Sequence, residues 1–123
     1  MGEGGAGFAD PGAAIRGWHA HVYYDPAATR DVAARVREGI AAAFPEAVLG
    51  RWHDVKVGPH PQAMFQVAFA PALWPALVPW LALNRGGLTV LVHPETGRQK
   101  ADHLRHAMWM GEVLPLDASV LPD

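Results

Sequence analysis

The stretch from Trp18 to Tyr24 constrains the fold most, because both its composition and its alternation predict a β-strand. Successive side chains of a strand point to opposite faces. One face therefore carries His19, His21 and Tyr23, and the other carries Trp18, Ala20, Val22 and Tyr24. Two neighbouring imidazoles on a sheet can ligate one transition metal, although the same pair also fits a half-solvated strand without a metal.

Two later segments have the pattern of helices. The first begins at Asp25-Pro26, where Asp can cap the helix and Pro suits its first position, and it ends at Pro45. Its apolar stripe consists of Val32, Val36, Ile40 and Phe44. The second helix lies between Pro71 and Asn84 and can begin as late as Pro75, because Pro79 kinks it or delays its start.

Three further segments are predicted strands. They cover residues 47–54, 62–69 and 88–92, and the last is followed directly by His93-Pro94. In the first of these strands we favour Arg51 and His53 on a common face. Two prolines place His60 in a stiff, exposed loop between the predicted strands at 47–54 and 62–69. Proline has no backbone N–H to donate to a neighbouring strand, and it restricts the conformation of the residue before it.

The order β-α-β-β-α-β is the ferredoxin-like pattern, which predicts an α+β sandwich with a four-stranded antiparallel sheet and both helices on one face. The covered face is predicted to carry Trp18, Ala20, Val22, Tyr24, Phe65, Val67, Phe69, Leu88, Val90 and Val92. The open face is predicted to carry His19, His21, Tyr23, Met64, Gln66, Thr89, His93, Arg51 and His53. Because the first and fourth strands are antiparallel neighbours, His93 should approach His19, whereas His60 should lie toward the other end of the first strand.

Composition narrows the chemistry further. The chain has 123 residues, enough for one domain, and no cysteine, so any metal must be held by histidine and carboxylate. Its net charge is −2 and its Lys and Arg are scattered, which argues against nucleic-acid binding. No apolar run reaches the roughly 18 residues of a membrane span. We therefore expect a soluble cytoplasmic protein with no nucleic-acid or membrane partner.

The chain divides into three predicted parts. Residues 1–14 are rich in Gly and Ala and lack the features of a signal peptide, so we predict a disordered leader. Residues 15–116 form the folded domain, and residues 117–123 form a C-terminal tail. Within the domain, residues 101–111 are either a short helix or an extended arm.

Taken together, these residues resemble the DOPA 4,5-dioxygenase family of small fungal and bacterial ring-cleaving proteins. The resembling blocks are Trp18–Tyr23, Val57–Pro61, Pro79–Leu81 with Leu83–Arg85, Leu91–Pro94 with Thr96-Gly97, and Asp102-His103 with Ala107–Gly111. Five blocks in order, across residues 16–116, are far more specific than one His-x-His pair. The resemblance implies a dimeric ferredoxin-like fold, assembled as an α/β barrel, and extradiol-type cleavage of DOPA or a related catechol with O2 and non-haem Fe(II).

This resemblance suggests a metal site made mainly of histidine. The candidate ligands are His19, His21 and His93, which the predicted strands bring together. The expected ion is Fe(II), and another divalent metal such as Zn could take its place in a purified sample. No carboxylate falls within the strand blocks, and Asp54, Glu95 and Asp102 stay open as further ligands.

Other residues are candidates for proton transfer and substrate binding. His60 and His103 match further family blocks and would move protons, since a pKa near 6.5 allows an imidazole to take up the catechol proton and return it. The candidates for substrate binding are Tyr23, Arg51 and Arg85, of which either arginine could pair with a substrate carboxylate.

Two other interpretations of the same residues remain. The chain could be a small-molecule binding domain that needs no metal, with the same polar sheet face. It could also be a structural dimerisation module, in which the partner subunit fills the open face and leaves no cavity.

Overall fold

Within residues 7–123, which a computed structural model describes, five strands form one antiparallel sheet accompanied by four helices. The strands are β1 (Gly17–Tyr24), β2 (Val48–Leu49), β3 (Ala63–Phe69), β4 (Val90–Glu95) and β5 (Met108–Met110), in the spatial order β2-β3-β1-β4-β5. The helices are α1 (Pro11–Ala14), α2 (Arg30–Ala43), α3 (Trp74–Asn84) and α4 (Gln99–Leu104). The predicted α+β class is confirmed.

The predicted leader lies only partly within the described residues. Residues 1–6 lie outside them. Residues 11–14 form the short helix α1, where the Asp10 carboxylate accepts a hydrogen bond from the Gly12 backbone N–H at 3.1 Å.

Strand β1 lies at the centre of the sheet and fixes the position of its histidines. It pairs antiparallel with β3 on one side and with β4 on the other, as the sequence predicts. In this register His19 lies opposite Ala68 on β3 and opposite His93 on β4. His21, two residues further along, therefore shares a face with all three of these side chains.

The sheet has a fifth strand that the four-stranded prediction did not include. Residues 101–111, left open between a helix and an arm, contain both: the end of α4 and the strand β5. Strand β5 pairs with residues 90–92 of β4 only. A strand of three residues is too short to show a periodic pattern, which is why the sequence did not reveal it.

Strand β2 is much shorter than the predicted strand over residues 47–54. It covers two residues, after which the Gly50 N–H donates to the Gln66 carbonyl of β3 at 2.8 Å and an isolated bridge joins His53 to Met64. The Gly50 carbonyl accepts a hydrogen bond from Arg37 of α2 at 2.6 Å. Because this carbonyl is engaged by a helix, the ladder does not continue from Gly50 to His53.

Strand β4 begins two residues later than predicted and continues through His93 to Glu95. Pro94 is tolerated inside it because the pairing of β4 with β5 stops at Val92, so that within residues 7–123 only β1 pairs with β4 at the proline. The extension pairs residues 93–95 of β4 with residues 17–19 of β1 and so places His93 opposite His19.

The first predicted helix begins later than expected. Residues around Asp25-Pro26 form a turn, in which the Asp25 carboxylate accepts a hydrogen bond from the Ala27 N–H, and α2 starts at Arg30. The second predicted helix is α3, which starts at Trp74 after a short 3-10 turn and contains Pro79.

Both long helices pack on one face of the sheet, and this face contains the main core. Buried residues of β1, β3 and β4 contact the buried faces of α2 and α3, as predicted. The sheet side of this core consists of Ala20, Val22, Tyr24, Phe65, Val67, Phe69, Leu88, Val90 and Val92, with Trp18 partly buried beside it.

The opposite face of the sheet, called here the second face, is partly covered by the chain itself rather than left open. Helix α4 packs on β4, and the segment after β5 covers a small apolar cluster of Tyr23, Met64 and Leu91. The last residues are tied back by two backbone hydrogen bonds, from Asp117 N–H to the Pro59 carbonyl and from Lys100 N–H to the Pro122 carbonyl. No helix within residues 7–123 is long and apolar enough to cross a membrane.

Candidate functional site

Five histidines converge on the second face of the sheet. His19 and His21 come from β1, His93 comes from β4, His60 comes from the loop before β3, and His103 comes from α4. Two overlapping groups of them, His19/His21/His93 and His21/His60/His103, have ligand nitrogens that all lie within 4.8 Å of one another. These five side chains are called the histidine cluster, and His21 belongs to both groups.

The three strand histidines meet because of strand alternation and register. His19 and His21 are two residues apart and so point to the same face. His93 is directly opposite His19 on the neighbouring strand. The predicted meeting of these three side chains therefore follows from the antiparallel pairing of β1 and β4.

The loop and helix histidines complete the cluster. His60 lies toward the far end of β1, where its Nδ1 is 2.7 Å from the Tyr23 hydroxyl and its ring centroid is 4.2 Å from that of His21. The prediction of an exposed His60 is wrong, because the loop places this side chain against the second face, where it is buried. The ring of His103 lies 4.0 Å from the ring of His93. His103 reaches this point because α4 packs on β4.

The closest contact of the cluster joins His21 and His93, whose Nε2 atoms are 3.0 Å apart. His93 Nδ1 donates to the Pro94 carbonyl at 3.0 Å, so its Nε2 carries a lone pair. His21 Nε2 then donates to His93, and His21 Nδ1 is left buried with no hydrogen-bond partner among the described residues. An unpartnered buried nitrogen is costly. A cation would relieve that cost only by binding at Nδ1 itself, whereas a cation between the two Nε2 atoms would replace the proton that they share.

The spacing of these nitrogens also suits a metal. With metal–nitrogen bonds of about 2.1 Å, two ligands at a right angle are separated by about 3.0 Å. The His21–His93 separation has this value. The donor set of the cluster is entirely imidazole, which suits Zn, Cu, Fe and Ni.

Burial favours the neutral form of His19, His21, His60 and His93 by lowering the pKa of each. His21 and His93 are almost fully buried, and His60 and His103 are buried as well. Desolvation lowers the pKa of His93 to about 3 and that of His60 to about 4, and it holds the pKa of His21 well below its usual range. Imidazoles must be neutral to bind a metal, so the site needs no deprotonation at pH 7.

His60 and His103 are each held through Nδ1. The Tyr23 hydroxyl and His60 Nδ1 form a buried hydrogen bond of 2.7 Å. His103 Nδ1 donates to the Gln99 carbonyl at 2.8 Å, which leaves its Nε2 lone pair available. Burial raises the pKa of the Tyr23 phenol above its usual range, so Tyr23 keeps its proton.

Glu95 is the carboxylate next to the cluster. One of its oxygens lies 3.5 Å from Nδ1 of His93 and 3.7 Å from Nδ1 of His19. The sequence had left it open beside Asp54 and Asp102. Its position in the sequence distinguishes Glu95 from the other two carboxylates. Glu95 follows His93 by two residues, so in a strand the two side chains share a face.

The other two carboxylates have different partners. Asp102 is buried and accepts hydrogen bonds from the Thr96 N–H at 2.8 Å and the Thr96 hydroxyl at 2.6 Å. Burial alone would raise the pKa of Asp102, but these bonds hold it below its usual range. Asp54 accepts from Tyr24 and Arg30 on the other side of the sheet.

The two arginines predicted for substrate binding are placed outside the cluster. Arg51 is exposed after β2. Arg85 donates to the Leu88 carbonyl at 2.8 Å in the connection between α3 and β4. Within residues 7–123 neither guanidinium forms a hydrogen bond with a histidine, and their predicted role remains a prediction.

Among the cluster histidines of the described chain, His19 is the one that reaches the surface. Its side chain is 24% exposed, and it forms part of the wall of a groove of about 290 Å³ together with Glu95. A wider depression of about 510 Å³ lies beside Tyr24 and Asp54 and has no histidine in its wall. A small molecule would therefore approach the cluster from the His19 side.

Comparison with known proteins identifies the family of the chain. The chain matches the model of the Dopa 4,5-dioxygenase family over residues 18–120. The DOPA 4,5-dioxygenase of Amanita muscaria is 30% identical over 115 residues, which cover 88% of this chain and 50% of that protein. An uncharacterised 21.2 kDa protein of Botryotinia fuckeliana is 46% identical over 92 residues, which cover 68% of this chain and 50% of that protein. The chain thus spans about half the length of these curated relatives.

A solved structure extends the likeness to the fold. The crystal structure of a proposed dioxygenase from Nostoc punctiforme superposes with a TM-score of 0.88 at 53% sequence identity. The match covers 92% of this chain and 96% of that chain.

Proposed function

The chain belongs to the Dopa 4,5-dioxygenase family, and from this premise we propose that it is a metal-dependent, extradiol-type dioxygenase that cleaves the ring of DOPA or a related catechol with O2. The observation that carries the proposal is the histidine cluster: five imidazoles in two overlapping groups, in each of which the ligand nitrogens lie within 4.8 Å of one another. Burying several imidazoles on a sheet face without a bound metal or a charged partner would cost folding free energy.

We assign the metal to His19, His21 and His93, with Fe(II) as the ion. The support is the 3.0 Å separation of the His21 and His93 Nε2 atoms and the position of His19 at the surface. A ferrous ion held there supplies the redox chemistry by which O2 reacts with a catechol. Glu95 orients His19 and His93 from the opposite side of their rings, as carboxylates commonly do for metal-binding histidines.

His60 and His103 move protons in this proposal. Both rings adjoin the metal-binding histidines, and both have one nitrogen engaged by a fixed neighbour. A catechol must lose a proton on binding, and a neutral imidazole within reach can accept it. Tyr23 keeps its proton and holds His60 in position, in addition to any contact that it makes with substrate.

The proposed assembly is a homodimer in which ferredoxin-like units, each extended by β5, form a barrel. The second face leaves the part over β2 and β3 uncovered in one subunit, and Val48 is 65% exposed there. Exposed apolar surface on a sheet is commonly covered by a partner.

The deciding experiment is anaerobic reconstitution with Fe(II), followed by metal analysis and by O2 uptake with L-DOPA and simple catechols. We expect about one bound ion per chain and a yellow ring-opened product. His21→Ala should lose both the ion and the product, because His21 belongs to both histidine groups.

His53→Ala serves as the matched control. His53 lies outside both groups, and its bridge to Met64 is formed by backbone atoms. This variant should keep the metal and the activity. If the wild type binds no iron and consumes no O2 with any catechol, the dioxygenase proposal is wrong, and retained catechol binding would then favour a metal-independent binding domain.

A further inference from the structure

The groove beside His19 contains charges of both signs. Arg16 lies on one side, Glu46 and Glu95 lie in its wall, and the whole groove measures about 290 Å³. This is close to the lower end of the volumes of small-molecule sites, about 300 Å³.

A row of small and apolar side chains forms the floor of the groove. Val48, Ala68 and His19 lie opposite one another on β2, β3 and β1, so they share the second face. Because Ala68 has only a methyl group, space is left next to the imidazole of His19. A planar ring can lie over Ala68 with its edge toward the histidine cluster.

The guanidinium of Arg16 is positioned by its neighbours. The Arg16 backbone N–H donates to the Glu95 carbonyl at 2.9 Å, which extends the pairing of β1 and β4 by one residue. Gly97, with φ of +90°, lies beneath the guanidinium, and a Cβ at that position would come within 3.1 Å of it. A side chain at 97 would therefore push the guanidinium away.

Arg16 and His19 are three positions apart, so their Cα atoms are about 10 Å apart in an extended chain. A catechol that bears a three-carbon chain can span this distance with its hydroxyls at the cluster. A carboxylate at the end of that chain would meet Arg16, and an ammonium there would meet Glu46.

We infer that Arg16 and Glu46 select catechols with an amino-acid head group, Arg16 by pairing with the carboxylate and Glu46 by pairing with the ammonium. This inference rests on the proposed function, because it places the catechol ring at the same histidine cluster. It assigns the carboxylate to Arg16 rather than to Arg51 or Arg85, which lie outside the groove wall.

The test is anaerobic calorimetric titration of the Fe(II)-loaded protein with four probes, which reads binding without turnover. The probes are L-DOPA, dopamine, 3-(3,4-dihydroxyphenyl)propionate and 4-methylcatechol. Arg16→Gln should weaken binding of L-DOPA and of the propionate about tenfold and leave dopamine and 4-methylcatechol within about twofold. Glu46→Gln should instead weaken L-DOPA and dopamine and spare the propionate.

Arg35→Gln, on the exposed side of α2, is the control and should leave all four affinities unchanged. Equal effects of Arg16→Gln on all four probes, no effect on any of them, or no binding of any probe to the wild type would overturn the inference. The same samples, once exposed to air, test the proposed function separately. If the protein cleaves catechols but Arg16→Gln does not change the relative affinities of the four probes, only the Arg16 assignment is wrong. If the affinities change as expected but no catechol is cleaved, only the dioxygenase proposal is wrong.

Discussion

At the scale of single residues, the cluster depends on groups that contact the Nδ1 atoms of its imidazoles. Glu95 lies near Nδ1 of two candidate ligands, and the Tyr23 hydroxyl holds Nδ1 of a third histidine. Such contacts select the tautomer and fix the ring, so that the other nitrogen faces the site. The sequence reveals the histidines, but it does not show which nitrogen of each one is engaged.

Replacing Glu95 with Gln should weaken metal binding by about 10- to 100-fold, because the charged partner of His19 and His93 is lost. The affinity can be measured by competition with a chromophoric chelator, using Zn(II) or Co(II). Glu46→Gln is the control, since Glu46 lies in the same groove but forms no salt bridge with a histidine in the described chain. Equal affinities for wild type and Glu95→Gln would rule out the orienting role.

Replacing Tyr23 with Phe should lower the free energy of unfolding of the metal-free protein by about 1–3 kcal/mol, because His60 Nδ1 would be left buried without its partner. Urea denaturation measures this change. Tyr24→Phe is a matched control, since its hydroxyl donates at 2.6 Å to Asp54, whose side chain is 51% exposed. The loss should be smaller there, because water can replace the missing bond, and an equal loss in both variants would contradict the explanation.

At the scale of elements, the connection between β4 and α4 decides whether His103 reaches the cluster. Asp102 closes this connection by accepting two hydrogen bonds from Thr96, and His106 Nδ1 lies 3.2 Å from the same carboxylate. The next residue along the helix is His103. The position of the helix histidine is thus set by a buried carboxylate that does not itself belong to either histidine group.

Asp102→Ala should therefore reduce both stability and metal affinity. Loss of the charge-assisted bonds from Thr96 should cost about 1.5–3 kcal/mol of unfolding free energy. Thermal unfolding and chelator competition measure the two effects. Thr96→Ser keeps both donors and should behave almost as the wild type, and an Asp102→Ala protein with unchanged metal affinity would show that α4 does not depend on this contact.

The elements also show what sequence can and cannot predict here. Alternation in Trp18–Tyr24 and the antiparallel order of the strands were enough to bring His19, His21 and His93 together, because strand geometry has a fixed period. The interruption of β2 was hidden, since it depends on Arg37 reaching the Gly50 carbonyl from a distant helix. The places of His60 and His103 depend on how a loop and a short helix pack on the sheet, for which no local pattern exists.

At the scale of the whole molecule, the cluster makes stability depend on pH. His60 and His93 remain neutral in the folded protein down to pH values of about 4 and 3, because burial lowers the pKa of each. In the unfolded chain both take up a proton near pH 6.5. Between these limits the unfolded state binds more protons, so stability is greatest above pH 6.5 and is lost as the pH falls.

The metal-free protein should accordingly lose up to about 1.4 kcal/mol of unfolding free energy per pH unit for each such histidine below pH 6.5. Urea midpoints between pH 7.5 and pH 4.5 measure the slope. His60→Gln removes one of these groups and should give a shallower slope than the wild type. A flat profile in the wild type would mean that the cluster is already protonated or open to water in the folded state.

The wide distribution of the cluster along the chain has a consequence for biosynthesis. Its members run from residue 19 to residue 103, and the last arrives on a helix held partly by the C-terminal residues. A chain still being translated can pair β1 with β3 but lacks β4 and α4, so it has no complete site to offer an ion. Metal uptake at the proposed site would then follow the synthesis and folding of the chain through α4.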